Sequence, residues 1–223
     1  KETETEANEL HTRLKELALE LSRKRKKAAK GFSAKVMEQL STLKMAKTKF
    51  SAALHSIPAD QKTDLRLTAD NYMITESGID RATFLIAPNV GEALKALTSI
   101  ASGGELSRVI LALKALLAKS DSVETVVFDE VDSGIGGGVA EAVGKKLAML
   151  AKHHQVICIT HLPQIAKFGQ QHFRISKKVS SGRTRTSIQL LNEQDRYKEI
   201  ARMLGGEKIT QKTLAHAREL LEQ

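Results

Sequence analysis

Two short apolar runs, separated by one helix-length segment, constrain the fold of this chain more than any other feature. The first run is Thr125–Phe128, and the second spans residues 155–160. Continuous runs of β-forming residues indicate strands buried on both faces, as in a parallel sheet. The segment between them predicts a helix at about residues 138–152, so the three elements form a βαβ unit with a right-handed crossover. We therefore predict an α/β fold with a parallel core.

Polar residues follow both predicted strands. Asp129 and Glu130 come directly after the first strand, and Thr160-His161 ends the second. Open α/β sheets bind ligands at the carboxyl ends of their strands, so we expect these side chains at one sheet edge. An apolar strand that ends in Asp-Glu is typical of a Walker B site, where the Asp holds Mg²⁺ through water and the Glu polarises the attacking water. The structural alternative is two exposed acids and an ordinary histidine.

A third candidate site is the helix start at Ser102–Glu105. Ser102 is a good N-cap, and Glu105 completes a capping box for a helix that runs to about residue 119. Gly103 and Gly104 weaken a first turn, but they leave the backbone amides open to a ligand, and phosphate is the usual anion at such amides. The alternative is an ordinary cap with two loop glycines. The predicted core face of this helix consists of Leu106, Val109, Ile110, Leu113, Leu116 and Leu117.

Other candidate motifs lack the residues that their chemistry needs. Residues 134–138 are glycine-rich but have no Lys-Ser/Thr after them, and Gly144-Lys145-Lys146 lies within the predicted helix. The sequence therefore contains no Walker A phosphate cradle. We interpret His153-His154 as a surface pair, and Cys158, in an apolar run, as a buried and unreactive thiol.

The pattern of residues 1–45 predicts one long charged helix. A leucine stripe at coiled-coil spacing is followed by the basic run 23–27 and then by a second apolar stripe that docks onto a globular body. The basic run can contact DNA phosphates, but a solvated helix face is the more frequent reason for such a run. The two stripes consist of Leu10, Leu14, Leu17 and Leu21, and of Ala28, Phe32, Val36, Leu40 and Leu43. The chain opens with Lys1 inside this helical pattern, so we expect it to be part of something longer.

The remaining segments alternate strand and turn signals. Residues 48–88 predict a small antiparallel sheet, with strands from Phe50 to Leu54, Leu65 to Leu67, Tyr72 to Thr75 and Thr83 to Ala87. Residues 88–101 predict a linking loop with a helical turn around Glu92–Leu97. Residues 172–191 predict a hairpin with its turn at Ser181-Gly182, and two final helices are expected at Glu193–Leu204 and Thr210–Leu220.

Composition narrows the choice of partner. The 223 residues carry a net charge of +9, which favours an acidic partner, nucleic acid first. One cysteine excludes an internal disulfide, and we see neither a membrane-spanning stretch nor a signal peptide. We therefore expect a cytoplasmic protein with no membrane partner.

The motifs together resemble those of ABC-type ATPases, and over residues 45–223 the chain resembles the C-terminal part of the RecN family. The similarity lies in a signature-like run, a Walker B strand, a D-loop and a switch histidine, in that order. The residues concerned are Phe84-Leu85, Asn89, Gly91-Glu92, 101–108, 126–137, 160–166 and 201–206. Val90 stands where that family often has proline.

The resemblance implies the C-terminal lobe of an SMC-like ATPase head (46–223) with a coiled-coil stub (1–45). The missing N-terminal lobe carries the Walker A motif, and two heads enclose ATP and Mg²⁺ between them to tether DNA at double-strand breaks, at the nucleoid. The implied sites are Asp129 for the metal, Glu130 and His161 for catalysis, and Ser102, Gly103, Gly104, Glu105 and Asp132 for the nucleotide. Ser102 would act on nucleotide held by the other head, and the chain alone would not hydrolyse ATP.

Two other functions fit the sequence. One is a non-catalytic DNA-binding or dimerisation module built on the basic helix, and the other is a different SMC-like ATPase.

Overall fold

The computed structural model describes residues 2–100, 102–118, 122–180, 183–206 and 208–222. They form two compact units, one from residues 1–41 and 45–100 and the other from residues 42–44 and 101–223. The helices are α1 (Glu2–Ser41), α2 (Gly103–Leu117), α3 (Gly137–Leu150), α4 (Pro163–Ala166), α5 (Glu193–Gly205) and α6 (Gln211–Glu222). The strands are β1 (Lys49–Ser56), β2 (Thr68–Ala69), β3 (Tyr72–Met73), β4 (Asp80–Ala87), β5 (Lys95–Ala96), β6 (Thr125–Phe128), β7 (Gln155–Cys158), β8 (Phe173–Ser180) and β9 (Arg183–Leu190). The functional boundary at residue 45 stays a prediction.

The first unit joins α1 to an antiparallel sheet in the order β1-β4-β5. The predicted long helix is confirmed as 40 continuous residues, and its buried face consists of Ala18, Ser22, Val36 and Leu40. The leucine stripe lies largely outside that face, since Leu10 is 64% and Leu17 50% exposed. An aromatic cluster joins α1 to this sheet: Phe32 of α1 packs against buried Phe50 and exposed Phe84 at centroid distances of 6.3 and 6.0 Å.

Two local predictions in this unit are wrong. Leu65–Leu67 is a 3₁₀ turn and not a strand, because the Asp64 carboxylate accepts the Arg66 amide and caps a turn. The expected helical turn at Glu92–Leu97 is absent. Lys95–Ala96 pairs instead with β4 as strand β5, and a 3₁₀ turn follows at Leu97–Ser99.

The second unit contains the predicted βαβ core. Strands β6 and β7 are parallel, with Thr125 opposite Gln155 and Phe128 opposite Cys158, and α3 connects them. The expected burial on both faces is wrong. Val126 and Phe128 are buried but Val127 is 60% exposed, because the described residues cover only one face of this two-stranded sheet.

The last part of the chain follows the sequence prediction. Strands β8 and β9 form an antiparallel hairpin with Phe173 opposite Leu190. Its predicted turn at Ser181-Gly182 lies outside the described residues. The two final helices are confirmed, and they bury a small cluster of Ile200, Ala201 and Ala217. No helix in the described ranges has both the length and the apolar character needed to cross a membrane.

Candidate functional site

The loop that follows β6 turns sharply at its second acid. Glu130 has φ +57°, in the left-handed region that non-glycine residues seldom adopt. The Asp129 carboxylate accepts the Glu130 amide at 2.9 Å, and Ser107 of α2 donates to the Asp129 carbonyl at 2.7 Å. The chain therefore leaves the sheet directly after Phe128, and it presents both acids beyond the strand end. We call residues 129–134 the acid loop.

Asp132 ties the acid loop to the end of the second parallel strand. Its carboxylate is buried, and one oxygen accepts from the Thr160 hydroxyl at 2.6 Å and the His161 amide at 2.9 Å. The same oxygen lies 2.9 Å from Nδ1 of His161, whose side chain is 74% exposed. The sequence prediction that Asp132 belongs to the nucleotide-binding residues stays a prediction, and the contacts show that its carboxylate holds Thr160 and His161.

The contact with Asp132 also decides what the His161 ring offers to solvent. An imidazole that faces a carboxylate through Nδ1 carries its proton on that nitrogen when neutral, and it leaves Nε2 as an acceptor. When protonated, the same ring donates through Nε2. His161 can therefore contact either a hydrogen-bond donor or an anion at the sheet edge. The structure also confirms the prediction that the ends of the two parallel strands lie together.

The start of α2 lies against the same loop. Ser102 caps the helix, and its hydroxyl is 3.5 Å from the Glu105 amide, which is the expected half of the capping box. A Cβ added to Gly103 would collide with the Glu130 carboxylate. A Cβ added to Gly104 would lie 2.7 Å from the Ser133 Cβ and 3.1 Å from the Glu130 carbonyl. Close approach of the chain's own loop, and not only of a ligand, therefore accounts for the two glycines.

Sequence reasoning missed Arg108, which joins α2 to the acid loop. Its side chain is buried, and one guanidinium nitrogen donates to the Ser133 carbonyl at 2.8 Å and lies 3.5 Å from the Val131 carbonyl. Burial lowers the pKa of Arg108, and nearby Glu105 opposes that shift. The signal was available, because Arg108 follows Gly104 by four residues and therefore shares its helix face.

Two other predictions about the surroundings of the site need correction. His154 is buried and not on the surface, because its Nδ1 lies 2.6 Å from the Val123 carbonyl, beside the sheet. The α2 core face matches the predicted stripe only in part: Val109 and Leu113 are buried as predicted, but Arg108, Leu111 and Ala112 are buried with them, and Leu117 is 41% exposed.

The donor set fits a magnesium ion that is held partly by phosphate. The described residues contain no group of three or more acidic, histidine or cysteine side chains able to form a metal cage. Mg²⁺ at phosphate sites needs only one or two protein carboxylates and keeps several waters. Asp129 supplies one such carboxylate at the strand end.

The two glycines of α2 allow a matched test of this geometry. We expect Gly104→Ala to destabilise the chain by about 1–3 kcal/mol, because the new methyl group overpacks against Ser133 and backbone. Gly103→Ala should change stability by no more than about 0.5 kcal/mol, since the Glu130 side chain can move aside. Denaturant unfolding of both variants measures the difference. Equal stabilities would contradict the observed packing of α2 on the acid loop.

The chain is similar to several curated proteins over most of its length. It is 40% identical to the DNA repair protein RecN of Bacillus subtilis over 207 residues, which cover 92% of this chain and 36% of that protein. It is 36% identical to the DNA repair protein RecN of Streptomyces coelicolor over 217 residues, 97% of this chain and 38% of that protein. The chain thus spans little more than a third of the length of these relatives. No family model matches.

Solved structures give a weaker comparison. The Smc head domain with coiled coil and joint from Pyrococcus yayanosii is 18% identical, with a TM-score of 0.47, over 79% of this chain and 29% of that one.

The fold and the site together define a lobe of the ABC-type α/β class. Acids follow β6 of the parallel βαβ unit, Thr160-His161 follows β7, and a helix that begins with two glycines lies beside them. Within that class the identities with curated relatives are decisive. The chain belongs to the RecN family, and it corresponds to the C-terminal part of RecN proteins.

Proposed function

We propose that this chain is the C-terminal lobe of an SMC-like ATPase head that acts in DNA double-strand break repair and recombination. The observation that carries the proposal is the junction at Asp132, which fixes His161 beside the acid loop and the start of α2. The repair role is supported by the RecN relatives, each described as a DNA repair protein. We further propose that it works in the cytoplasm, at the nucleoid.

Each site residue has a defined task in this proposal. Asp129 would hold Mg²⁺ through water, and Mg²⁺ when bound neutralises phosphate charge. Glu130 accepts a proton from the attacking water as general base, and its exposed carboxylate suits that task. His161, oriented by Asp132, contacts the terminal phosphate through Nε2. Asp132 itself is a positioning residue.

The start of α2 serves a second head in this proposal. Amide groups at a helix N-terminus attract phosphate, and Ser102 adds a hydroxyl, while Gly103, Gly104 and Glu105 form the first turn. The lobe has no Walker A motif, so the chain's own N-terminal lobe must cradle the phosphates of its ATP. Ser102 to Glu105 then contact ATP held by the other head, and ATP brings the two heads together to tether DNA.

Ser102→Arg tests this arrangement in the chain joined to the N-terminal lobe of a RecN protein. We expect ATP binding to persist while ATP-dependent dimerisation is lost, because the arginine side chain fills the space that the second head must approach. Fluorescent-nucleotide binding and size-exclusion chromatography measure the two properties.

Ser122→Arg is the matched control, since Ser122 is exposed and lies outside the site. Dimerisation of Ser102→Arg at the level of this control would overturn action on the second head. Appreciable ATP hydrolysis by the 223-residue chain alone would overturn the proposal that hydrolysis requires the N-terminal lobe.

A further inference from the structure

The β8–β9 hairpin is an amphipathic ribbon whose two faces differ in chemistry. Its register places Lys178 opposite Arg185 and Ser176 opposite Ser187, whose hydroxyls lie 2.8 Å apart on the same face. Because side chains alternate along a strand, Phe173 and Ile188 belong to the other face. One face is therefore basic and carries serine hydroxyls, and the opposite face is mainly apolar, with Lys177, Thr184 and Thr186 among its apolar side chains. Arg174 and Arg183 complete the basic face.

Most of the charge on this ribbon is uncompensated. Residues 173–190 contain five lysines and arginines and no acid. At the base of the ribbon Arg174 lies 3.8 Å from the Glu199 carboxylate, but among the described residues no ion pair involves Lys178, Arg183 or Arg185. Lys178 and Arg185 lie directly opposite each other on the two strands. Like charges in that position destabilise an antiparallel pair of strands. A bound anion would offset that cost.

We propose that the basic face of the β8–β9 ribbon binds the phosphate backbone of duplex DNA. Lysine and arginine supply most of the affinity for such a backbone, and serine and threonine hydroxyls add hydrogen bonds to phosphate oxygens. Arg183 and Arg185 lie two residues apart on one strand, a rise of about 6.7 Å, which matches about two phosphate steps along the duplex axis. This inference deepens the proposed function by naming its DNA-contact surface.

The alternation of faces favours DNA over an anionic membrane. Membrane-surface elements insert apolar side chains while neighbouring basic side chains contact lipid headgroups, so both kinds must approach the bilayer from one side. On this ribbon Arg174, Lys178, Arg183 and Arg185 point away from the apolar side chains, whereas Lys177 shares the apolar face. The basic face therefore carries charge without an apolar anchor.

The test compares two charge-matched variants of the 223-residue chain. The ribbon variant carries Lys178→Gln, Arg183→Gln and Arg185→Gln, and the helix variant carries Arg23→Gln, Lys26→Gln and Lys27→Gln. Fluorescence anisotropy measures binding of a labelled DNA duplex over a range of salt concentrations. We expect the slope of log affinity against log salt to fall by about 2 to 3 in the ribbon variant, because each lost phosphate contact removes about 0.9. The helix variant should keep the slope of the unaltered chain.

A charge-preserving variant, Lys178→Arg with Arg183→Lys and Arg185→Lys, separates charge from folding. It should bind DNA with the original slope, and circular dichroism should show the same folded spectrum for all variants. An unchanged slope in the ribbon variant, a reduced slope in the helix variant, or no duplex binding by the unaltered chain would each overturn the proposal.

Vesicles of phosphatidylcholine and phosphatidylserine provide the competing ligand. We expect them to leave DNA binding unchanged, whereas sedimentation of the chain with vesicles through the same three residues would assign the ribbon to membranes. None of these measurements uses ATP. Failure of the ribbon proposal therefore leaves the ATPase proposal standing, and the reverse holds as well.

Discussion

Glu130→Gln, made in the chain joined to the N-terminal lobe of a RecN protein, is expected to lower ATP hydrolysis by about 10²- to 10⁴-fold. Glutamine keeps the size of the side chain but cannot accept the proton of the attacking water. ATP binding should survive, because no residue that contacts phosphate has changed. The variant should therefore accumulate as an ATP-bound dimer, measured by size-exclusion chromatography alongside steady-state hydrolysis.

Glu124→Gln is the matched control for this experiment. Glu124 is exposed just before β6, at the opposite end of the same strand, so the identical chemical change lies away from the site. Hydrolysis should be unaffected in the control. If Glu130→Gln hydrolyses ATP at the control rate, another group is the general base.

The second large effect concerns Cys158 at the end of β7. Burial raises the pKa of its thiol to about 12, and the nearby Asp132 and Asp129 carboxylates add to the shift. The ordinary thiol value is 9.0, so at a given lower pH the folded chain holds about 10³-fold less thiolate than the unfolded chain. Only the thiolate attacks alkylating reagents, and the greater nucleophilicity of a thiolate with a higher pKa offsets part of this loss, so iodoacetamide should modify the folded chain about 30- to 60-fold more slowly.

The dependence of this rate on pH separates ionisation from steric protection. In the unfolded chain the rate should level off above about pH 9, whereas in the folded chain it should keep rising tenfold per pH unit toward the higher pKa. Cys158 is the only cysteine, so the signal belongs to one site. If the alkylation rate of the folded chain levels off at the same pH as that of the unfolded chain, the raised pKa of Cys158 is contradicted.

Elements whose pattern is local were predictable from the sequence. The long α1 helix, the βαβ unit and the β8–β9 hairpin follow from apolar periodicity, and the structure confirms all three. The errors arise where tertiary contacts decide. Lys95–Ala96 is a strand because it pairs with the edge of β4, and a two-residue segment has too little sequence pattern to predict that pairing.

The candidate site shows the same division. The sequence indicated that Asp129, Glu130 and His161 share a sheet edge, because parallel strands align their ends. It did not indicate that the glycines of α2 accommodate the acid loop, or that Arg108 donates to two of its carbonyls. Those facts depend on how a helix lies against a loop some twenty residues further along the chain, and no periodicity encodes that contact.

The left-handed backbone at Glu130 has a consequence for how this position can change. A non-glycine residue in that conformation costs about 1–2 kcal/mol, and glycine or asparagine would relieve much of it. Selection for thermal stability alone should therefore replace this glutamate, while selection for activity should retain it. Under the general-base role that we propose for Glu130, stability and catalysis place opposite demands on this residue, and a stabilised version of this lobe would best be sought at other positions.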